Sequence, residues 1–335
     1  MQTEELKEFL STPRKIFITT HAKPDGDALG SSLALYHYLL KKGHEPTVVS
    51  SSDYGMYLHW MPGSPSILCL PESREKIMKL LAETDLIFCL DFNNYQRTEH
   101  LADALRKATA PKVMIDHHLE PEGFDAWRMW NPDACATAEL IYKFMDMMGD
   151  LDLMDKDIAT CIYTGLVTDS GSFRYPNVTA NVHRIVASLM DAGLEHSSVH
   201  THVFDTFTEK RLRFFGLCMK NKLVIFPEYR AACISVTREE IKEYEIKTGD
   251  TEGLVNYPLM LADVSLAALI IDREHIIKLS IRSKGSFPAN EFAGKYFEGG
   301  GHHNAAGGSH KGTLQGAVDL FMKGLEEYKP LLLSM

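Results

Sequence analysis

The stretch KIFITTHAKPDGDALGSSLALYHYLLKKG, residues 15–43, decides the fold. Its first seven residues are a short apolar run rich in Ile, Phe and Thr that ends in His21, as a buried strand reads. A polar turn with Pro24, Asp25 and Gly26 follows, then a helical period from Asp27 to Lys42 that stops at Gly43. Strand, turn and helix then recur. PTVVSS (46–51) reads as a strand, 72–82 as a helix, DLIFCLD (85–91) as a strand, 98–108 as a helix and KVMIDHH (112–118) as a strand. Short strands alternating with helices predict a mostly parallel sheet.

From about 136 to 191 the pattern is helical, with stops at Gly149 and Gly193. The second half changes character. A helical stretch near 208–220 precedes the strand RAACISV (230–236). SLAALIID and HIIKLSIRS flank Asp272-Arg273-Glu274 as a hairpin, and GGGHHNAAGG (299–308) precedes a last helix near 313–328. The expected architecture is α/β. An N-terminal mostly parallel sheet with flanking helices (1–195) is joined by a helical linker (196–215) to a smaller α/β C-terminal domain (216–335). A chain of 335 residues is long enough for two domains.

Lys and Arg total 35 against 45 Asp and Glu, a net charge of −10. That balance excludes binding to nucleic acid by broad basic coverage, though not a local cationic site created by bound metal. The six cysteines form no C-x-x-C pair, so a zinc knuckle or thioredoxin-type site is not expected. Cys69 and Cys89 lie in apolar runs and read as buried thiols. The charged N-terminus does not read as a signal peptide, and no apolar run approaches membrane-spanning length. The expectation is a cytoplasmic protein with reduced thiols.

Three strands end in metal-type side chains. The first runs into His21 with Asp25 and Asp27 just beyond, the second ends in Asp91, and the third ends in Asp116-His117-His118. In open parallel sheets, ligands gather outside the carboxyl ends of strands near the point where strand order reverses. Each piece alone has a plainer reading: Asp27 as a helix cap, Asp91 as an ordinary strand end, the two histidines as surface residues. Together they place about six ionisable groups in one cleft, where carboxylates repel one another unless cations neutralise them. Asp mixed with His suits Mn²⁺, Fe²⁺, Zn²⁺ or Co²⁺. The ligands outnumber what one tetrahedral ion needs. Two ions roughly 3.5–4 Å apart, sharing a carboxylate and a water or hydroxide, would use them all in an arrangement that cleaves phosphoesters.

HAKPDGDALGS (21–31), LDFNN (90–94), IDHH (115–118) and GLVTDSGSFRY (165–175) resemble, in order, the motifs of the DHH phosphoesterase family. GGGHHNAAGG resembles the glycine-rich motif of the C-terminal domain that often accompanies it. The resemblance covers nearly the whole chain and points to the short-chain branch, which includes nano-RNases that are also phosphatases of 3′-phosphoadenosine 5′-phosphate. It implies two divalent cations, Mn²⁺ foremost. One would be held by His21, Asp25 and Asp91, the other by Asp27, Asp91, His117 and Asp169, with Asp91 as the bridge. Asp116 would orient a histidine, and His118 would bind the substrate phosphate and assist the leaving group.

Arg97 reads either as a phosphate ligand or as a helix-start arginine paired with an acid. Ser170, Ser172 and Arg174 read either as cleft-lining or as loop-forming residues. In the C-terminal domain, Gly300, Gly301 and His302 read as an anion-binding nest, or as a tight turn, with Arg282 facing the same cleft; the resemblance favours substrate binding. The implied partners are short RNA or DNA oligonucleotides or a nucleoside bisphosphate, with no membrane; a homodimer is compatible. The alternatives are a phosphodiesterase of c-di-AMP or linear dinucleotides, an exopolyphosphatase or pyrophosphatase, and a non-enzymatic nucleotide-binding module. Cleavage polarity, the choice of RNA or DNA and the physiological metal are not legible in the sequence.

Overall fold

The computed structural model describes residues 3–247 and 249–335. The chain divides into two compact units between Thr206 and Phe207. The first contains α1 (Thr3–Phe9), β1 (Lys15–Thr19), α2 (Gly26–Lys41), β2 (Glu45–Ser50), β3 (Leu68–Cys69), α3 (Arg74–Glu83), β4 (Leu86–Leu90), α4 (Ala102–Lys107), β5 (Lys112–Asp116), β6 (Trp127–Trp130), α5 (Thr137–Met148), α6 (Lys156–Asp169), α7 (Ala180–Asp191) and α8 (His196–Phe204).

Its six strands lie in the order β3-β2-β1-β4-β5-β6, and every neighbouring pair is parallel. The chain builds outward from β1 in one direction and then from β4 in the other, so strand order reverses between them, where such sheets bind ligands. Both faces of the sheet are covered. Ile16 and Ile18 of β1, with Leu86, Phe88 and Leu90 of β4, join one apolar cluster together with Leu29 and Leu33 of α2. The intervening Phe17, Ile87 and Cys89 join a second cluster with Ile77 and Leu81 of α3. Burial on both faces is why these strands read as continuous apolar runs.

The helices on the first face close tightly. A Cβ on Gly30 of α2 would sit 2.5 Å from the Cys161 carbonyl oxygen of α6. One on Gly165 of α6 would meet Ala138 Cβ at 2.5 Å and Asp27 Oδ1 at 2.7 Å. Only glycine at these positions lets α2, α5 and α6 meet around Asp27.

The second unit contains α9 (Glu209–Leu217), β7 (Leu223–Phe226), β8 (Ala231–Val236), α10 (Arg238–Glu243), β9 (Leu266–Asp272), β10 (Ile277–Ser283), α11 (Ala289–Phe297), β11 (Gly300–His302), β12 (Ala305–His310) and α12 (Leu314–Leu333). Its sheet has the order β11-β12-β10-β9-β8-β7. The β8–β9 pair is parallel and the others are antiparallel. Phe287, Phe292, Phe297 and Phe321 fill the core between this sheet, α11 and α12.

The two-domain α/β architecture matches the sequence expectation, with differences in detail. The predicted 98–108 helix is a 3₁₀ segment, Tyr95–Leu101, broken at Glu99 (φ 44°) before α4 begins. The 136–191 pattern is three helices, interrupted at 149–155 and 170–179. β6 escapes the sequence reading because its Trp-Arg-Met-Trp is only partly buried and carries no β-branched residue. Cys89 is buried, whereas Cys69, on the edge strand β3, is only half-buried. Among the described residues, no helix is long and apolar enough to cross a membrane.

Candidate metal centre

His21 follows β1 and Asp91 follows β4, so the two flank the point of strand-order reversal; His21 Nε2 lies 3.4 Å from Asp91 Oδ2. Asp91 adopts φ 61°, a left-handed backbone that aspartate tolerates better than most residues. Such strain at a strand end is characteristic of functional positions. Asp116, His117 and His118 leave β5. His117 Nε2 lies 3.5 Å from Asp91 Oδ1, 3.5 Å from Asp169 Oδ2 and 3.8 Å from Asp27 Oδ2. Asp169 comes from the C-terminal end of α6 rather than from a strand.

Besides the group of Asp91, Asp116 and His118, two further ligand groups form here. His21, Asp25 and Asp91 each offer an atom within 4.8 Å of the others, and so do Asp27, His117 and Asp169. Asp91 turns one carboxylate oxygen to each group, Oδ2 to His21 and Oδ1 to His117. Nδ1 of His117 lies 3.0 Å from the Ala134 carbonyl oxygen, and Nδ1 of His21 lies 2.9 Å from that of Ala22. With Nδ1 donating to those carbonyls, Nε2 is the nitrogen that could hold a cation.

Asp25, not Asp27, caps α2. Its Oδ1 accepts from the backbone N–H groups of Asp27 and Ala28, 3.0 Å each. Asp27 points inward instead, where its two oxygens accept from the N–H groups of Thr137 (2.6 Å) and Ala138 (2.9 Å). The reading of Asp27 as a helix cap therefore fails, because the residue two positions earlier already fills that role. His118 Nδ1 lies 2.8 Å from Asp116 Oδ1.

The electrostatics suit cations. Burial, then the charges of Asp91, Asp169 and Asp25, push the Asp27 carboxyl well above its usual range. Asp91 is also penalised by burial, but the His21 hydrogen bond and the charges of His118, His21 and His117 hold it well below that range. Burial works against charge on His21 and His117. Asp91 and Asp25 outweigh it at His21, and Asp169 and Asp91 at His117, so both rings are shifted upward. At His118 burial prevails over Asp116 and the ring is shifted downward. The Oδ2 atom of Asp116 is buried without a hydrogen-bond partner. Five carboxylates crowded among three imidazoles, one with an orphaned oxygen, are the donor set that divalent cations fit.

Arg97 lies close enough for its charge to act on both His21 and His118, and its carbonyl accepts from the Ala22 N–H at 2.7 Å. It makes no ion pair with an acid among the described residues, contrary to the plainer reading. A cavity of about 750 Å³, lined in part by Lys23, Ser52, Tyr54, His59 and Glu99, shares Lys23 with the loop that carries His21 and Asp25. Ser170 is no cleft residue: it is fully buried and bonded to the Leu166 carbonyl and the Phe173 N–H.

In the second unit, Arg282 of β10 and His302 of β11 both lie directly opposite Ala305 of β12. Directly opposed residues share a face, so small Ala305 separates two basic side chains on one side of the sheet. The glycine-rich stretch is a hairpin rather than a loop. Gly299 and Gly301 are sterically required, since a Cβ there would lie 2.1 Å from the Gly307 carbonyl oxygen and 2.5 Å from that of Ala305, whereas nothing stands within 4 Å of one on Gly300. Thr137 is the residue the sequence reading missed.

The comparisons with known proteins agree with this geometry. Residues 15–166 match the DHH family N-terminal domain and residues 231–329 the DHHA1 domain. The chain is 29% identical over 317 residues to the bifunctional oligoribonuclease and PAP phosphatase NrnA of Thermus thermophilus, covering 93% of this chain and 89% of that protein. It shares 24% identity over 179 residues with the cyclic-di-AMP phosphodiesterase PdeA of Listeria monocytogenes, covering 51% of this chain and 27% of that one. The crystal structure of an exopolyphosphatase-related protein from Bacteroides fragilis superposes with a TM-score of 0.94 at 38% identity, covering 98% of this chain and 97% of that one. With both domain models matched in order, and the aspartates and histidines of the motifs gathered at one sheet end, the chain belongs to the DHH family.

Proposed function

We propose that this chain is a metal-dependent phosphoesterase that hydrolyses very short oligonucleotides and 3′-phosphoadenosine 5′-phosphate. The observation that carries the proposal is the pair of ligand groups, His21/Asp25/Asp91 and Asp27/His117/Asp169, joined through the two oxygens of Asp91. Two divalent cations bound there, with manganese preferred by this mixture of Asp and His, would supply an activated water and neutralise phosphoryl oxygens.

The chain's own residues do the rest. Asp116 fixes the His118 ring through Nδ1, so Nε2 is the atom through which His118 acts on the phosphate and the leaving group. Arg97 carries a guanidinium suited to bidentate contact with a phosphate oxygen pair. Within the second unit, Arg282 and His302 put two basic side chains on one face of the sheet beside Gly300 and Gly301, a patch suited to a phosphate. A short substrate agrees with the chain's acidic balance of −10, since a long non-specific track requires a basic surface. The six free thiols fit a reducing cytoplasm.

Purified protein with Mn²⁺ should release mononucleotides from RNA dinucleotides and phosphate from 3′-phosphoadenosine 5′-phosphate. Asp27→Asn and His117→Ala should each lower turnover by roughly 10³-fold or more, the loss of several kcal/mol of charge stabilisation. Polyphosphate cleavage without nucleotide cleavage would overturn the substrate reading. The resemblance to PdeA supports a second reading, in which cyclic dinucleotide is opened; faster turnover of cyclic than of linear dinucleotide would select it.

A further inference from the structure

The start of α5 is anomalous. Its cap position is Ala136, in extended conformation (φ −166°) and with no side-chain hydrogen bond, although alanine is among the poorest helix caps. The N–H groups of the first turn are satisfied from elsewhere: Thr137 and Ala138 donate to the two oxygens of Asp27, 110 and 111 positions away. The hydroxyl of Thr137 donates to Asp91 Oδ1 at 2.9 Å. That oxygen is the one facing His117, whereas Oδ2 faces His21. Thr137 is fully buried. A single residue thus grips two carboxylates from two other elements, one by its backbone and one by its side chain. The Glu139 carboxylate reaches back to the Cys135 N–H (2.9 Å) and steadies the segment leading into the helix.

We infer that Thr137 is a positioning residue for the Asp27/His117/Asp169 cation group. Its hydroxyl sets the rotation of the Asp91 carboxylate, so that Oδ1 is presented to this group while Oδ2 stays with His21. The hydroxyl is buried and acts through Asp91. Its loss weakens one of two cation sites selectively, since the Asp27 contacts run through backbone N–H groups that any side chain at 137 preserves. This inference rests on the two-cation reading above.

The test is calorimetric titration of chelator-stripped protein with MnCl₂, alongside thermal unfolding of the stripped protein. Thr137→Val keeps shape and N–H but removes the hydroxyl; Thr137→Ser restores the hydroxyl. Wild type is expected to bind two Mn²⁺. Thr137→Val should bind one of them roughly 10–100-fold more weakly, the range for loss of a hydrogen bond to a ligand, and Thr137→Ser should titrate like wild type. The stripped variants should unfold within a few degrees of wild type. A Thr137→Val protein that titrates like wild type overturns the inference and leaves the two-cation reading intact, as does equal weakening in Thr137→Ser. A wild-type chain that binds no Mn²⁺ removes both.

Discussion

The candidate metal centre of the first unit and the glycine hairpin of the second are both assembled from strand ends, yet they differ in what fixes them. In the first unit topology does the work: three parallel strands deliver His21, Asp91 and Asp116-His117-His118 to one edge, and hydrogen bonds hold nearly every side chain there. In the second, packing does the work. Gly299 and Gly301 are glycine because the hairpin backbone leaves no room for a Cβ, while Gly300 has open space around it. A run of glycines can therefore mix positions demanded by the fold with positions spared for a ligand, whereas a run of buried carboxylates has no comparable structural need.

The sharpest way to break this contrast is Asp25, which belongs to both categories: it caps α2 and lies in the ligand group of His21 and Asp91. Asparagine caps helices as well as aspartate does but carries no charge for a cation. Asp25→Asn is expected to unfold near the wild-type temperature while losing about 10²–10³-fold in Mn²⁺-dependent turnover, by the loss of one charged ligand. Asp25→Ala should lose the same turnover and about 1 kcal/mol of stability besides. Full activity in Asp25→Asn would reduce the residue to a cap.

The second unit gives smaller effects. Arg282→Ala removes a charged hydrogen-bond donor worth about 1.5–3 kcal/mol, and His302→Ala removes a ring N–H donor. Each should raise the KM for a dinucleotide by roughly 10–100-fold while changing kcat less. The glycine contrast is tested by thermal unfolding. Gly300→Ala should unfold like wild type, with any defect confined to KM. Gly301→Ala, at φ 144° and 2.5 Å from the Ala305 carbonyl oxygen, should unfold at lower temperature. Equal unfolding of the two variants would erase the distinction.

This difference also explains what the sequence made legible. A strand ending in Asp or His is visible in one dimension, because a parallel sheet sends all such ends to the same edge. Hence the candidate ligands could be grouped before any coordinates, and even Asp169, which arrives on a helix, is marked by the motif around it. Thr137 could not be named, because its role depends on contacts 46 and 110 positions away. Its one local sign is Ala136, where a capping residue is expected. The hairpin in GGGHHNAAGG was equally hidden, since glycine carries no strand propensity and its pairing depends on β10 and α11. The role exchange between Asp25 and Asp27 is a matter of two residues in one turn, below what periodicity resolves.

The smallest expected effect isolates capping without catalysis. Asp155 caps α6 much as Asp25 caps α2: its Oδ1 accepts from the Ile158 N–H at 3.0 Å, and Lys41 Nζ lies 2.8 Å from its Oδ2. Burial disfavours its charge, but the Ile158 N–H and Lys41 outweigh this and hold the carboxyl below its usual range. A carboxyl more acidic when folded contributes stability that is complete above the unfolded value of about 3.9. That contribution fades as pH falls through the lower folded value. Asp155→Ala should therefore lower the unfolding temperature at pH 7 by roughly 2–4 °C, about 1 kcal/mol, with the difference from wild type shrinking as pH drops below about 4. Asp155→Asn should keep the cap and lose that pH dependence. Mn²⁺-dependent turnover should be unchanged in both, because the residue touches no ligand group. A loss of turnover in Asp155→Asn would mean that charge at a helix start reaches the centre from afar, and the selective effects expected at Asp25 could then no longer be credited to metal contact.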